Sequence, residues 1–197
     1  MQAKTDYPVH ELIARRWSPY SFDRRPVSVD DLHAIFEAAR WAPSSFNEQP
    51  WRFLLATRND AGAFSTMLSC LTEGNRTWGQ HAPVLALGVT KRSFTRNGKP
   101  NRAALHDLGL ASANLSLEAT ARGLSVHQMI GIEPDRARQI YQVPDDFDVY
   151  TGLAIGYPAD PTERLSEFAD RDQTRRPRKP LREMLFEGTW NIPAASL

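Results

Sequence analysis

Apolar positions along the chain fall into helix-period and strand-like groups, separated by polar breaks that often carry proline. Leu32, Ile35, Phe36 and Ala39 recur at i, i+3, i+4 and i+7, which predicts an amphipathic helix over about 29–40. Ser28-Val-Asp-Asp31 stands ahead of it as a capping box, with Asp in place of the usual Glu. Pro8 opens a shorter helical stretch through about Arg15. Arg52–Thr57 reads as a strand. About 60–72 reads as a helix, with a turn at Glu73-Gly-Asn-Arg76. Pro83–Thr90 is a second, more apolar strand, and the polar segment Lys91–Pro100 reads as a mobile loop. The longest helical pattern runs over 102–122, with Gly123 placed where a C′ glycine belongs. Its Leu108–Leu117 stretch is small and apolar nearly all round, the mark of a helix buried centrally or against a partner subunit. Pro134 begins a helix to about Tyr141. Asp148–Ile155 is a third strand, ended by Gly156-Tyr-Pro158.

Helices outnumber strands, and short βαβ units do not account for the order, so the expected class is α+β. No repeat or linker divides the chain, so 1–197 is expected to be one domain. From about 159 it continues as a polar extension carrying Arg171, Arg175, Arg176, Arg178, Lys179 and Arg182. This extension has little core of its own and is expected to pack along another surface. A net charge of +1 gives no global attraction to nucleic acid or a membrane surface. No apolar run approaches the roughly 20 residues of a membrane span. The start shows no apolar signal region, and Cys70 is the single cysteine. The expectation is a soluble cytoplasmic protein.

Three polar clusters could carry chemistry. Arg15-Arg-Trp-Ser-Pro-Tyr-Ser-Phe22 offers guanidiniums and a hydroxyl suited to phosphate oxygens; it also fits a solvated helix end. Trp41-Ala-Pro-Ser-Ser-Phe-Asn-Glu-Gln-Pro-Trp51 is a proline-stiffened loop that displays hydroxyls and amides beside aromatic rings. It suits a flat ligand with hydrogen-bonding edges, and equally an ordinary connection. Arg175-Arg-Pro-Arg-Lys-Pro180 is a second basic cluster, or a solvated charge run. The five histidines have no metal-ligand spacing, and no nucleophile or triad stands out. Asp107 reads as structural.

Taken in order, these residues resemble the FMN-dependent nitroreductase family. Arg16-Trp-Ser-Pro-Tyr-Ser-Phe-Asp23 resembles its N-terminal phosphate motif, and Ala42–Trp51 its most specific motif. Gly74-Asn75 with Trp78 and Ala82–Leu85, Asp107–Ala111 through Gly123-Leu124, Gln128–Gly131, Gly156–Pro158 and Arg176–Leu181 follow as further landmarks. The resemblance implies a central, mostly antiparallel sheet flanked by helices, in an intertwined homodimer with FMN at the interface. The C-terminal extension, about 159–197, would wrap the partner subunit.

Implied cofactor residues are Arg16, Trp17, Ser18, Tyr20, Pro43, Ser44, Ser45, Asn47, Asn75, Met129, Ile130, Gly131, Arg176 and Arg178. Met129 to Gly131 would line the isoalloxazine, with glycine letting backbone approach the ring. Gln49 would brace its loop, and Trp41 and Trp51 would anchor that loop to the core. NAD(P)H would serve as electron donor, and a nitroaromatic, quinone or similar small electron-poor molecule as acceptor, in ping-pong fashion. Other flavin chemistry on the same fold, a non-catalytic flavin binder, and nucleic-acid binding through the arginine tail are the alternatives. The balanced charge speaks against the last. At Tyr20 the chain departs from the family pattern, which has Arg or Lys near the flavin N1/O2 edge; tyrosine carries no charge there.

Overall fold

The computed structural model describes residues 2–174 and 176–194. Arg175, one of the tail arginines, lies outside them. In chain order the elements are α1 (Glu11–Arg15), α2 (Val29–Arg40), β1 (Trp51–Thr57), α3 (Ala61–Leu68), α4 (Glu73–Gly79), β2 (Val84–Lys91), α5 (Ala104–Ala121), β3 (Ser125–Met129), α6 (Pro134–Tyr141), β4 (Phe147–Gly156) and α7 (Ala169–Gln173). The four strands form one sheet in the order β1-β2-β4-β3, and each neighbouring pair is antiparallel. The expected α+β class with an antiparallel sheet flanked by helices is therefore what the chain adopts.

β2 is buried along all but its last residue, because both faces of the sheet are covered. On one face Val84, Ala86, Leu153, Ile155 and Val126 pack against Ile35 and Ala39 of α2 and Leu108, Ala111 and Leu115 of α5. On the other, Leu85, Leu87, Ala154 and Met129 pack against Phe64 and Met67 of α3, Trp78 of α4 and Ala137 of α6. α2 begins as its sequence demands: Ser28 Oγ accepts the Asp31 N–H at 3.0 Å and donates to the Asp31 carboxylate. α5 ends at Gly123, whose φ of +76° is the left-handed conformation a C′ glycine supplies.

Several expectations change. The helix over 60–72 stops at Leu68, and the turn at 73–76 is the first half of α4. β3 is a fourth strand, pairing Ser125–Met129 with Gly156–Gly152. The 91–100 segment is closed on itself by a Ser93–Pro100 bridge and a Phe94 N–H to Lys99 carbonyl bond. The start of the C-terminal extension belongs to the chain's own core, since Phe168 and Asp172 are buried. Only beyond it do Met184, Trp190 and Ile192 stand exposed.

Candidate functional site

The N-terminal basic cluster sits on the α4 face of the sheet, beside β3. Arg16 is half-buried and donates to Ser18 Oγ at 3.3 Å. Burial lowers its pKa, and the nearby positive charges of Arg178 and Arg176 lower it further. The chain therefore brings the two arginine clusters together in space. Among the described residues, none of Arg16, Arg176 and Arg178 has a carboxylate within ion-pair distance. Three converging guanidiniums with no carboxylate in ion-pair contact repel one another, and an anion relieves that repulsion.

Tyr20 lies in the middle of this cluster. Its ring stacks on Phe168 at 5.1 Å and meets Trp78 and His127 edge-on at 5.3 and 4.7 Å. Arg176 Nη2 donates to its hydroxyl at 3.5 Å, and Arg171 lies 5.5 Å over its ring. Positive charge that the sequence lacks at position 20 is thus delivered by the tail. Tyr20, Asp170, Arg171, Thr174 and Arg176 line a cavity of about 390 Å³.

Two residues that the sequence did not nominate hold this cluster. Asp172 is 1% exposed, and its carboxylate accepts the backbone N–H groups of Tyr20 at 2.8 Å and Ser21 at 3.0 Å. His127 stacks on Trp78 at 4.3 Å, and its Nδ1 lies 2.8 Å from the Pro19 carbonyl. A carbonyl only accepts, so Nδ1 carries the proton. Burial, opposed by that hydrogen bond, lowers the His127 pKa, with Arg176 and Arg16 adding to the fall.

From Trp78 a polar chain leads to β3's end. The Trp78 indole N–H donates to Asn75 Oδ1 at 3.3 Å, and Asn75 Nδ2 donates to the Gly131 carbonyl at 2.8 Å. Thr72 donates to the same carbonyl from its N–H and its hydroxyl, both at 3.1 Å. A Cβ on Gly131 would clash with Asn75 Nδ2 and fall 2.7 Å from Thr72 Oγ1. Room for these two side chains requires glycine here. The Met129 side chain is buried in the core. Ile130 is 65% exposed.

The proline-rich loop lies elsewhere. Ser44 Oγ accepts the Gln49 N–H, and Gln49 Nε2 donates to the Asn47 carbonyl, so Gln49 braces the loop as expected. Buried Asp107, in the first turn of α5, accepts the Ser45 N–H at 3.0 Å. That bond fixes the loop to the helix and makes Asp107 structural. Trp51 is buried and anchors the loop, but Trp41 is 72% exposed and its indole N–H donates to Glu37 of its own helix end, so it is no anchor. Pro43 is exposed, and Trp17 is half-buried with no hydrogen bond from its indole among the described residues.

The sheet register separates the two groups. His127 pairs with Ala154 and so aligns with Leu85, whereas Trp51 pairs with Thr90 at the other end of β2. Three strand spacings and about five residues of rise put the groups roughly 20 Å apart, at opposite corners of the sheet. They also lie on different faces: His127 meets α4, and Ser45 meets α5.

Comparison with known proteins agrees with this architecture. The model of the nitroreductase family matches residues 13–69. A Streptomyces coelicolor protein, provisionally named NADH dehydrogenase/NAD(P)H nitroreductase, is 30% identical over 161 residues, covering 72% of this chain and 79% of its own. An FMN reductase (NADPH) from Bacillus subtilis is 33% identical over 91 residues, 45% of this chain and 32% of its own. The crystal structure of an oxidoreductase containing FMN superposes with a TM-score of 0.88 at 34% identity, over 95% of this chain and 96% of that one. The chain belongs to the nitroreductase family of oxidoreductases.

No described helix is long and apolar enough to cross a membrane. Among the described residues, no group of three or more His, Cys, Asp or Glu could hold a metal ion.

Proposed function

We propose that this chain is an FMN-dependent oxidoreductase that draws electrons from NAD(P)H and passes them to nitroaromatics, quinones or similar electron-poor acceptors. The observation that carries the reading is the cluster of Arg16, Arg176 and Arg178 beside Ser18, with no ion pair to any of the three among the described residues. It fits a phosphate that is close to doubly charged near neutral pH. The FMN named for two related proteins supplies the same chemistry. When bound, FMN supplies the redox step, and the protein supplies position and electrostatics.

In this reading Arg16, Ser18, Arg176 and Arg178 hold the phosphate, with Trp17 and Tyr20 beside them. Asn75, the backbone of Met129 and Gly131, and the Ile130 side chain border the ring. Pro43, Ser44, Ser45 and Asn47 address its edges and the ribityl hydroxyls. Because that last group sits at the opposite corner of the sheet, it comes from a second copy of the chain, and the functional unit is a homodimer. The exposed stripe of Leu105, Gly109 and Ala113 on α5 gives such a copy an apolar surface to cover. Donor and acceptor take the same place in turn, so kinetics are ping-pong.

A spectral titration tests this. The purified protein should show flavin absorbance, by itself or after adding FMN, that bleaches with NADPH under anaerobic conditions and returns with a nitroaromatic. Three charge-assisted contacts should favour FMN over riboflavin by at least about 100-fold. Arg16→Ala should remove much of that preference. No flavin binding would overturn the reading. Equal binding of FMN and riboflavin would overturn the phosphate assignment.

A further inference from the structure

Phe46, between Ser45 and Asn47, is 72% exposed and holds a φ of 54°. A bulky residue in the left-handed region is a genuine outlier, and asparagine or glycine would sit there with less strain. The ring is not idle. Arg96 lies with its Cζ 4.0 Å from the Phe46 centroid and 5.5 Å from that of Phe94. Phe94 meets Phe46 edge-on at 5.7 Å. Glu48 ties the two loops together by accepting the Thr95 N–H and hydroxyl. The loop that would read the flavin therefore carries an aromatic–guanidinium platform on its outer side.

The charge on this platform is available. Lys91 and Arg92 pair with Asp146 and Asp148, but among the described residues Arg96, Lys99 and Arg102 have no ion pair. Glu48 is near enough to feel Arg96, but its carboxylate is engaged by Thr95. A guanidinium resting on an aromatic face keeps its edge donors free for an anion, while the exposed ring offers a stacking surface.

We propose that Phe46 and Arg96 form a specificity site for substrates that carry an anionic group close to a planar ring system. The inference rests on the flavin reading, because only a flavin held by Ser45 and Asn47 puts this platform at the mouth of the active site. Two sources share this chemistry: an acceptor bearing an aromatic carboxylate, and a donor bearing the 2′-phosphate of NADPH. Phe46 provides the flat surface and Arg96 the charge-assisted hydrogen bonds.

The test uses FMN-loaded protein and matched pairs. For the acceptor, kcat/KM is compared for 4-nitrobenzoate and 4-nitrobenzamide, and dissociation constants for benzoate and benzamide are read from the perturbed flavin absorbance. For the donor, kcat/KM is compared for NADPH and NADH. Wild type should prefer the anionic member of at least one pair, and Arg96→Gln should lower that preference about tenfold. Phe46→Asn, which keeps the left-handed backbone accessible, should lower the same ratio. A shift in the first pair assigns the site to the acceptor; a shift in the second assigns it to the donor. Ratios that do not move in either variant, or a wild type indifferent to charge in both pairs, would overturn the proposal while leaving the flavin reading intact. Absence of flavin binding would overturn both.

Discussion

Asp172 does for the Tyr20–Ser21 segment what Asp107 does for the proline-rich loop: one buried carboxylate accepts backbone N–H from a segment distant in sequence. Neither would be chosen as a binding residue from its neighbours. Asp172 stands in the polar extension, within Arg171-Asp-Gln-Thr, where the sequence offers little core of its own. Only the tail's return over Tyr20 gives it a role. Asp172→Ala would leave the Tyr20 and Ser21 N–H groups buried without partners. The variant should lose about 2–4 kcal/mol in urea unfolding, and its preference for FMN over riboflavin should fall. A loss below about 0.5 kcal/mol would show that the carboxylate does not organise the loop.

His127 is a second such residue. Its folded-state pKa lies below the usual 6.5, chiefly because burial disfavours the charged ring. Below pH 6.5 the unfolded chain therefore binds a proton that the folded chain resists. The stability this supplies is fully present above 6.5 and is lost as pH falls through that value. His81, lowered by burial as well, acts in the same sense. His127→Phe keeps an aromatic ring on Trp78 and removes the titration. Its urea midpoint should fall less than that of wild type between about pH 7 and 5.5. Identical slopes would contradict the assignment.

At the scale of elements, legibility follows how far each one carries its own signal. α2 announces itself by a capping box and four apolar positions in register, and its bounds match the expected 29–40. The three strands that were expected are those with dense apolar runs. β3 has no such run. It is an edge strand of five residues, Ser125-Val-His-Gln-Met, paired on one side only, and its alternation mixes His127 with Met129 on the core face. Its strand character comes from β4, so single-sequence periodicity cannot reveal it. α4 was hidden for a related reason: Glu73-Gly-Asn-Arg-Thr carries no apolar residue, and the helix is held by buried Trp78 near its end.

The candidate site divides in the same way. Its polar clusters were visible as residues, and the family resemblance supplied their order. What the chain alone could not show is that the two arginine clusters meet across about 160 residues, and that the loop of Ser44, Ser45 and Asn47 is not with them. Both are consequences of sheet order and register.

For the whole molecule, that separation is the central fact. A cofactor held by both groups needs both corners of the sheet brought to one place. In the proposed homodimer, two-fold pairing of chains would do this by setting one copy's α5-face loop against the other's arginine cluster, twice over. The exposed apolar stripe on α5 and the uncovered Met184, Trp190 and Ile192 of the tail supply surface for such pairing. The claim is open to a direct measurement, by mixing two variants that damage different halves of the site. One carries Arg16→Ala and Arg176→Ala; the other carries Ser45→Trp, which fills the loop's ligand side. Each alone should be nearly inactive in NADPH-dependent nitroaromatic reduction. Co-expressed, half the dimers are mixed and each mixed dimer holds one intact site, so about a quarter of wild-type activity should return. A mixture that stays as inactive as its components would contradict a site built from two chains.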